Sequence, residues 1–413
     1  MASMRQRGEN SYQVTVSNGY DSKGKKLLKT RTINLDPKLT EKQKEKELQK
    51  RVVLFEQEVK SGSYYEPTKM TMSEFIGLWL DKKKNNIESK THQGYSGLLK
   101  GRVLKVMGDT KLIDLKPLHL INFYENLQEV GIREDGREGK LSANSILHYH
   151  RALNAMFGDG VRWGLIKENP CSKVRPPKVV KKEMSCLDED QIPQLINALR
   201  KEPIDISTFI TLDLVTGLRR GELCGLQWDN IDLKNNTIVV EQAVSYTPET
   251  GTIIKTPKTK SSIRMITIPK TTSYLLSLYR KWWLEQKIKV GDLWQKSARE
   301  DAEKNGETWE DPEYLFTTWN GYVMHPDTLT KTFKKFIKRN NLPDIRLHDL
   351  RHTAATMLIH AGLNIRAVAA RMGHENPNVT LAIYSHALLS ADKQAADVMG
   401  NLIKKKPKKE KAK

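Results

Sequence analysis

The sequence predicts a multidomain chain, mainly α-helical with small β-sheets, on three observations. Its 413 residues exceed what a single hydrophobic core commonly organises. Two alternating stretches near the start give way to long segments of helical period, and strand-like alternation returns only from residue 237. Between them lies 173–183, KVRPPKVVKKE, which is basic, contains proline and has no period, the composition of an interdomain linker. The expected division is a small sheet unit over 1–62, an all-helical domain over 69–172, the linker over 173–183, a mixed α+β domain over 184–402 and a basic tail over 403–413.

Each element has a local reason. Residues 12–18 (YQVTVSN) and 26–34 (KLLKTRTIN) alternate as strands do, with turn-forming residues between them, and a short strand over 4–7 makes a three-stranded sheet. Segment 40–60 carries Leu48, Val52, Leu54, Phe55 and Val59 at helical spacing and backs that sheet. After a linker over 61–69, Thr71 with Glu74 three residues on forms a capping box for a helix bearing Phe75, Leu78, Trp79 and Leu80. Further helices are expected at 91–104, 116–128 and 142–163. In the mixed domain, helices at 188–201 and 204–215 lead into TGLRRGELCGL. Strands at 237–244, 252–256 and 263–268 follow, and the turn TPKTKSS between the last two places Lys258 and Lys260 at a hairpin tip. Helices at 271–289 and 326–340 precede 347–385, LHDLRHTAATMLIHAGLNIRAVAARMGHENPNVTLAIYS.

Lys plus Arg (69) exceeds Asp plus Glu (49), for a net charge of +20 and a pI near 9.6. That excess favours a polyanionic partner, because each phosphate neutralised releases condensed counterions. No apolar run reaches the roughly 18 to 20 residues that span a bilayer, and no signal peptide opens the chain, so a membrane partner is not expected and a cytoplasmic location is. Cys171, Cys186 and Cys224 have neither metal-ligand nor disulfide-framework spacing and read as reduced thiols. The tail from Ile403 holds seven lysines and one glutamate and is expected to be disordered. Basic residues Arg5, Arg7, Lys26 and Arg31 on the small sheet, Lys83 and Arg102 in the helical domain and Lys178 in the linker are candidate DNA contacts; on the sheet a solvated face is an equal alternative, and in the helical domain most such cations are expected to be solvated, with a fraction contacting phosphate.

Taken singly, Arg219, His348 or Tyr384 has an ordinary structural explanation. The joint pattern is specific. TGLRRGELCGL with Arg219 and Glu222, TPKTKSSIRMITIP with Lys258, HDLRHT with His348 and Arg351, MGH with His374 and LAIYSH with Tyr384 resemble, in that order, the tyrosine recombinase (phage integrase) family. The resemblance is closest to integrases of conjugative transposons and temperate phages. It implies an arm-type DNA-binding domain at the start, a helical core-binding domain and an α+β catalytic domain. It further implies double-stranded DNA with core and arm sites as partner, a homo-tetramer on DNA, an excisionase, a host DNA-bending protein and a nucleoid-associated location in a bacterium.

The chemistry can be argued from the residues. Attack on a phosphodiester builds negative charge on the non-bridging oxygens, which two arginine forks neutralise; Arg219 and Arg351 fit. Tyr384 is the candidate nucleophile, joining DNA through a phosphotyrosyl bond. Lys258 is the candidate general acid for the departing 5′ oxygen, with Lys260 the alternative. His348 would assist proton transfer or bond a non-bridging oxygen, His374 would bond the phosphate, and Glu222 would hold Arg219. Pro377 is expected to open the helix bearing Tyr384, and the segment 390–403 to pack on a neighbouring protomer. No carboxylate cluster or nucleotide-binding glycine loop is present, so no metal or other cofactor is expected. Two rival readings remain at this level, a type IB topoisomerase and a DNA-binding relative without activity.

Overall fold

The computed structural model describes residues 2–20, 23–61, 69–180, 185–256 and 263–374, together with Asn376 and Met399. The chain forms two compact units, Met1–Val180 and Lys181–Lys413.

The first unit opens with β1 (Ser3–Gly8), β2 (Ser11–Tyr20) and β3 (Lys26–Asn34), an antiparallel sheet in the order β1-β2-β3. Side chains alternate between faces, so Val14, Val16 and Ile33 are buried against α1 (Glu41–Lys60). That helix turns inward Leu48, Phe55 and Val59, with Val52 partly buried. Leu54, expected on the same stripe, is 48% exposed, because it lies one position off the 48-52-55-59 ridge.

Four further helices surround a separate apolar cluster that includes Phe75, Trp79, Val103, Phe123 and Phe157. They are α2 (Met72–Lys84), α3 (Ser89–Leu98), α5 (Pro117–Asn126) and α6 (Ala143–Arg162); the short α4 (Leu104–Met107) lies between α3 and α5. The Thr71 capping box forms as expected, with Thr71 N–H donating to Glu74 Oε2 at 2.8 Å and Glu74 N–H to Thr71 Oγ1 at 3.3 Å. The helix expected over 91–104 is instead interrupted by a π-helical turn, Leu99–Val103, in which Gly101 has a non-helical ψ of −113°. Glycine tolerates the insertion, and the helix kinks there.

Asp159, 4% exposed, ties α6 to α2: it accepts from Trp79 Nε1 at 2.7 Å and pairs with Lys83 Nζ at 2.8 Å and with Arg162. Removing Asp159 leaves the buried Trp79 indole unpaired, while Lys83 and Arg162 keep access to solvent. Asp159→Ala is therefore expected to destabilise this unit by about 1–3 kcal/mol in urea unfolding; an unchanged midpoint would show that the network contributes nothing.

The second unit begins with α7 (Gln191–Leu199), α8 (Ile204–Thr216) and α9 (Arg220–Gly225). Strands β4 (Ile231–Asp232), β5 (Thr237–Val240), β6 (Ala243–Thr247), β7 (Gly251–Lys255) and β8 (Arg264–Thr267) follow, then α10 (Lys270–Val290), α11 (Lys296–Lys304), α12 (Pro326–Arg339), α13 (Leu347–His360) and α14 (Ile365–Met372). Strand pairing departs from expectation. The stretch 237–244 is two strands in different sheets, because β5 pairs with β4 and β8 while β6 pairs with β7. Among the described residues β7 therefore does not pair with β8, and β6 and β7 form the hairpin. Alternation identified the strands, but partner choice is a tertiary property. Lys258 and Lys260 themselves lie outside the described residues.

Candidate active site

Two helix ends and one helix start build the site. Helix α8 ends at Gly217, whose φ of 61° is left-handed, and a Cβ there would stand 2.5 Å from Met372 Sδ. Two residues later Arg219 caps α9 in extended conformation. Glu222 at the third helical position accepts from Arg219 N–H at 3.0 Å and from Arg219 Nη1 at 2.7 Å, so the same carboxylate caps the helix and holds the guanidinium. Helix α14 ends in the same way at Gly373, φ 68°.

Helix C-termini leave carbonyls without intrahelical donors and carry partial negative charge. Here those carbonyls receive the arginines. Arg351, on α13 and 1% exposed, donates from Nη1 to Gly217 O and from Nη2 to Met372 O, both at 2.6 Å. Arg219 donates from Nη2 to Gly373 O, also at 2.6 Å. Two adjacent carbonyls thus hold two arginines that lie far apart in the chain, and His374 is the next residue. Each guanidinium has five N–H donors, so donors remain beyond these bonds.

His348 and Arg351 share α13 but differ in exposure. Arg351 points inward; His348 is exposed and stands edge-on to His352, ring centroids 4.8 Å apart. Asp349 caps α13, accepting Arg346 N–H at 2.7 Å, and pairs with Arg346 Nη2 at 2.7 Å.

Electrostatics follow from this crowding. Burial, then the neighbouring Arg219, lowers Arg351 to about 10, which still leaves it cationic at neutral pH. Burial, then Arg351 and Arg219, holds His374 down to about 4. Close packing, then His352 and Arg351, holds His348 down to about 4 although part of its surface meets solvent. Both imidazoles are neutral in the DNA-free site. A histidine with a depressed folded pKa binds its proton more readily in the unfolded chain, so stability is full above the ordinary value of 6.5 and declines as pH falls toward 4. The melting temperature is accordingly expected to drop between pH 7 and about 4.5, and His374→Asn to reduce the drop; an equal drop in that variant would remove His374 from the titration.

Two residues that spacing did not reveal complete the cluster. Arg264 at the start of β8 donates from Nη2 to Glu222 Oε2 at 2.8 Å. Asp213 on α8 is 2% exposed, its Oδ1 has no hydrogen-bond partner among the described residues, and burial raises its pKa well above the carboxylate range. Arg264 lies within the quoted stretch TPKTKSSIRMITIP but was given no role there, and a lone acid within the apolar run FITLDLV was the only signal for Asp213. Arg219, Glu222, Arg351 and His374 are thus brought together, with His348 one turn from Arg351. Tyr384, the helix expected from Pro377 and the tail lie outside the described residues, as does all of 390–403 except Met399.

The candidate DNA contacts divide. Arg5, Lys26 and Lys178 are exposed, and Arg7 is exposed while bonded to Gln13 Oε1. Arg31 pairs across the sheet with Val14, so it faces α1, where it bridges Glu58 at 2.6 Å and lies over the Phe55 ring. Lys83 is tied to Asp159, and Arg102 donates to Ile132 O at 2.6 Å. A cleft of about 490 Å³ between α8, α10 and α12, walled by Phe209, Tyr279, Trp282 and Trp283, includes none of the cluster. Among the described residues no three His, Cys, Asp or Glu side chains form a metal-binding group, and no described helix is long and apolar enough to cross a membrane.

Residues 185–390 match the family model described as phage integrase family, and residues 71–128 match that of the phage integrase N-terminal SAM-like domain. A tyrosine recombinase XerC-like protein of Caldanaerobacter subterraneus is 27% identical over 96% of this chain and 97% of its own. The ICEBs1 integrase of Bacillus subtilis is 25% identical over 97% of this chain and 100% of its own. Among solved structures, a Tn1549 transposon integrase in complex with transposon right end DNA superposes with a TM-score of 0.63 at 23% identity, covering 80% of this chain and 100% of that one.

Proposed function

The chain belongs to the phage integrase family, and we infer that it is a site-specific DNA recombinase that integrates and excises a mobile genetic element. The observation that best supports the reaction proposed here is the seating of Arg219 and Arg351 on the adjacent carbonyls of Gly373 and Met372. Held from behind, the two forks keep donors for the scissile phosphate.

In the proposed course, the Tyr384 hydroxyl oxygen attacks the phosphorus as its proton passes to the neutral imidazole of His348 or to water. A tyrosine–phosphate bond forms at the 3′ side, and the bond from phosphorus to the 5′ oxygen breaks. Arg219 and Arg351 neutralise the charge that builds on the non-bridging oxygens. His374 and His348, neutral before DNA arrives, offer hydrogen bonds whose strength grows as the phosphate raises their pKa. The 5′ oxygen leaves with a proton from Lys258, or from Lys260. Attack by the 5′ hydroxyl of a second strand reverses these steps and rejoins the DNA, conserving the bond energy.

Double-stranded DNA is the partner. Core sites would meet the helical and catalytic domains and arm sites the open face of β1, which carries Arg5 and Arg7. A homo-tetramer, an excisionase, a host DNA-bending protein and a location with the bacterial nucleoid complete the proposal. Strand relaxation of the topoisomerase kind uses the same chemistry, but relatives named integrase or recombinase favour recombination.

The test is direct. Wild-type protein incubated with a nicked duplex from the junction between its element and host DNA should leave a protein–DNA adduct that survives denaturation. No adduct on an authentic junction would end the enzyme reading, and relaxation without strand transfer between duplexes would replace recombination with topoisomerase activity.

A further inference from the structure

We propose that Arg264 is a positioning residue for this reaction, orienting Arg219 through Glu222 and His374 through the end of α14. The proposal rests on the assignment of Arg219 and His374 to the site. The Arg264 side chain is 7% exposed. Its Nη2 donates to Glu222 Oε2 and its Nε to Arg371 O, both at 2.8 Å. Gly373 lies against the same group, since a Cβ there would stand 2.8 Å from Arg264 Nη1. One planar fork therefore touches the carboxylate that fixes the first arginine and the turn that ends in His374.

The arrangement requires an arginine. Glu222 is 4% exposed and lies between two guanidiniums, Arg219 on Oε1 and Arg264 on Oε2. With both in place the carboxylate has one orientation, and Arg219 inherits it. Without Arg264, the carboxylate's remaining partners among the described residues are the Arg219 side chain and the α9 cap. The last turn of α14 would also lose its bond from Arg264 and keep its tie to β8 through Arg371 Nη2 and Thr267 O, 3.1 Å apart. A lysine offers one compact charge and cannot meet the carboxylate and the carbonyl in the same fork geometry. Misplacement of about 1 Å at a reacting group costs up to about a hundredfold in rate.

The experiment uses the full chain as wild type, Arg264→Gln and Arg264→Lys, with single-turnover cleavage of the junction duplex. One substrate carries the ordinary 5′ oxygen at the scissile phosphate; the other carries sulfur there, a leaving group that departs without a proton and so needs no general acid. Both variants are expected to bind DNA within about twofold of wild type. Both should cleave about 10- to 100-fold more slowly, by the same factor on the two substrates, with lysine recovering part of the loss. Recovery of rate on the sulfur substrate would move the action of Arg264 to the general acid and overturn the proposal, as would wild-type rates in Arg264→Gln. Failure of the wild type to form an adduct would instead strike the recombinase reading. Melting curves identify a variant that does not fold, and Arg264→Lys then carries the test.

Discussion

Tyr384→Phe is expected to abolish the covalent protein–DNA adduct and all strand transfer while leaving DNA affinity within about twofold of wild type. The substitution removes one oxygen. That oxygen is the atom proposed to bond phosphorus, and phenylalanine has no group that can take its place. Affinity for a duplex comes mainly from basic side chains spread over the protein, which the substitution leaves intact. The loss should be at least about a thousandfold, as when a nucleophile is deleted from a concerted site. Denaturing electrophoresis of labelled substrate measures it. A persistent adduct in Tyr384→Phe would assign the nucleophile to another residue and dissolve the alignment of LAIYSH with the site.

Arg351→Ala should rank second, and its effect has two parts. The guanidinium leaves the carbonyls of Gly217 and Met372 without their donor in a buried position, at a cost of about 1–3 kcal/mol for each. It also removes a cation facing the transition state, typically about 10²- to 10³-fold in rate. Arg219 separates the two parts, because its side chain is 42% exposed. Arg219→Ala should therefore lose cleavage with a smaller loss of melting temperature than Arg351→Ala, since it leaves one carbonyl, that of Gly373, without its donor and Glu222 with Arg264 still in place. Arg351→Lys is expected to restore little, since one ammonium cannot bridge two carbonyls and still reach a phosphate. Calorimetry beside single-turnover cleavage gives both readouts. Full cleavage by Arg219→Ala would remove that residue from the reaction.

Much of this could be read before any coordinates. Thr71 and Glu74 announced a helix start, because capping depends on residues three or four apart, and Glu222 was expected to hold Arg219; the left-handed end at Gly217 and the cap that Glu222 gives α9 came from the structure. The stripe Leu48, Phe55, Val59 was legible for the same reason, although Leu54 was placed on it wrongly. Strands were harder. Alternation found β7 and β8 but paired them with each other, and charge alone put Arg31 among the candidate DNA contacts, where register turns it toward Glu58.

The sequence by itself determined which side chains bring chemistry, since arginines, histidines, lysine and tyrosine in that order admit few readings, and it determined the local caps and apolar stripes. Only the tertiary structure decided that two helix C-termini meet, that their free carbonyls seat Arg219 and Arg351 side by side, and that Arg264 binds Glu222 from the other side. The physical reason is range. Caps and stripes are set by neighbours within a turn, whereas a carbonyl left open at the end of one helix can be satisfied by a donor anywhere in the chain, and nothing in local spacing says which donor it will be.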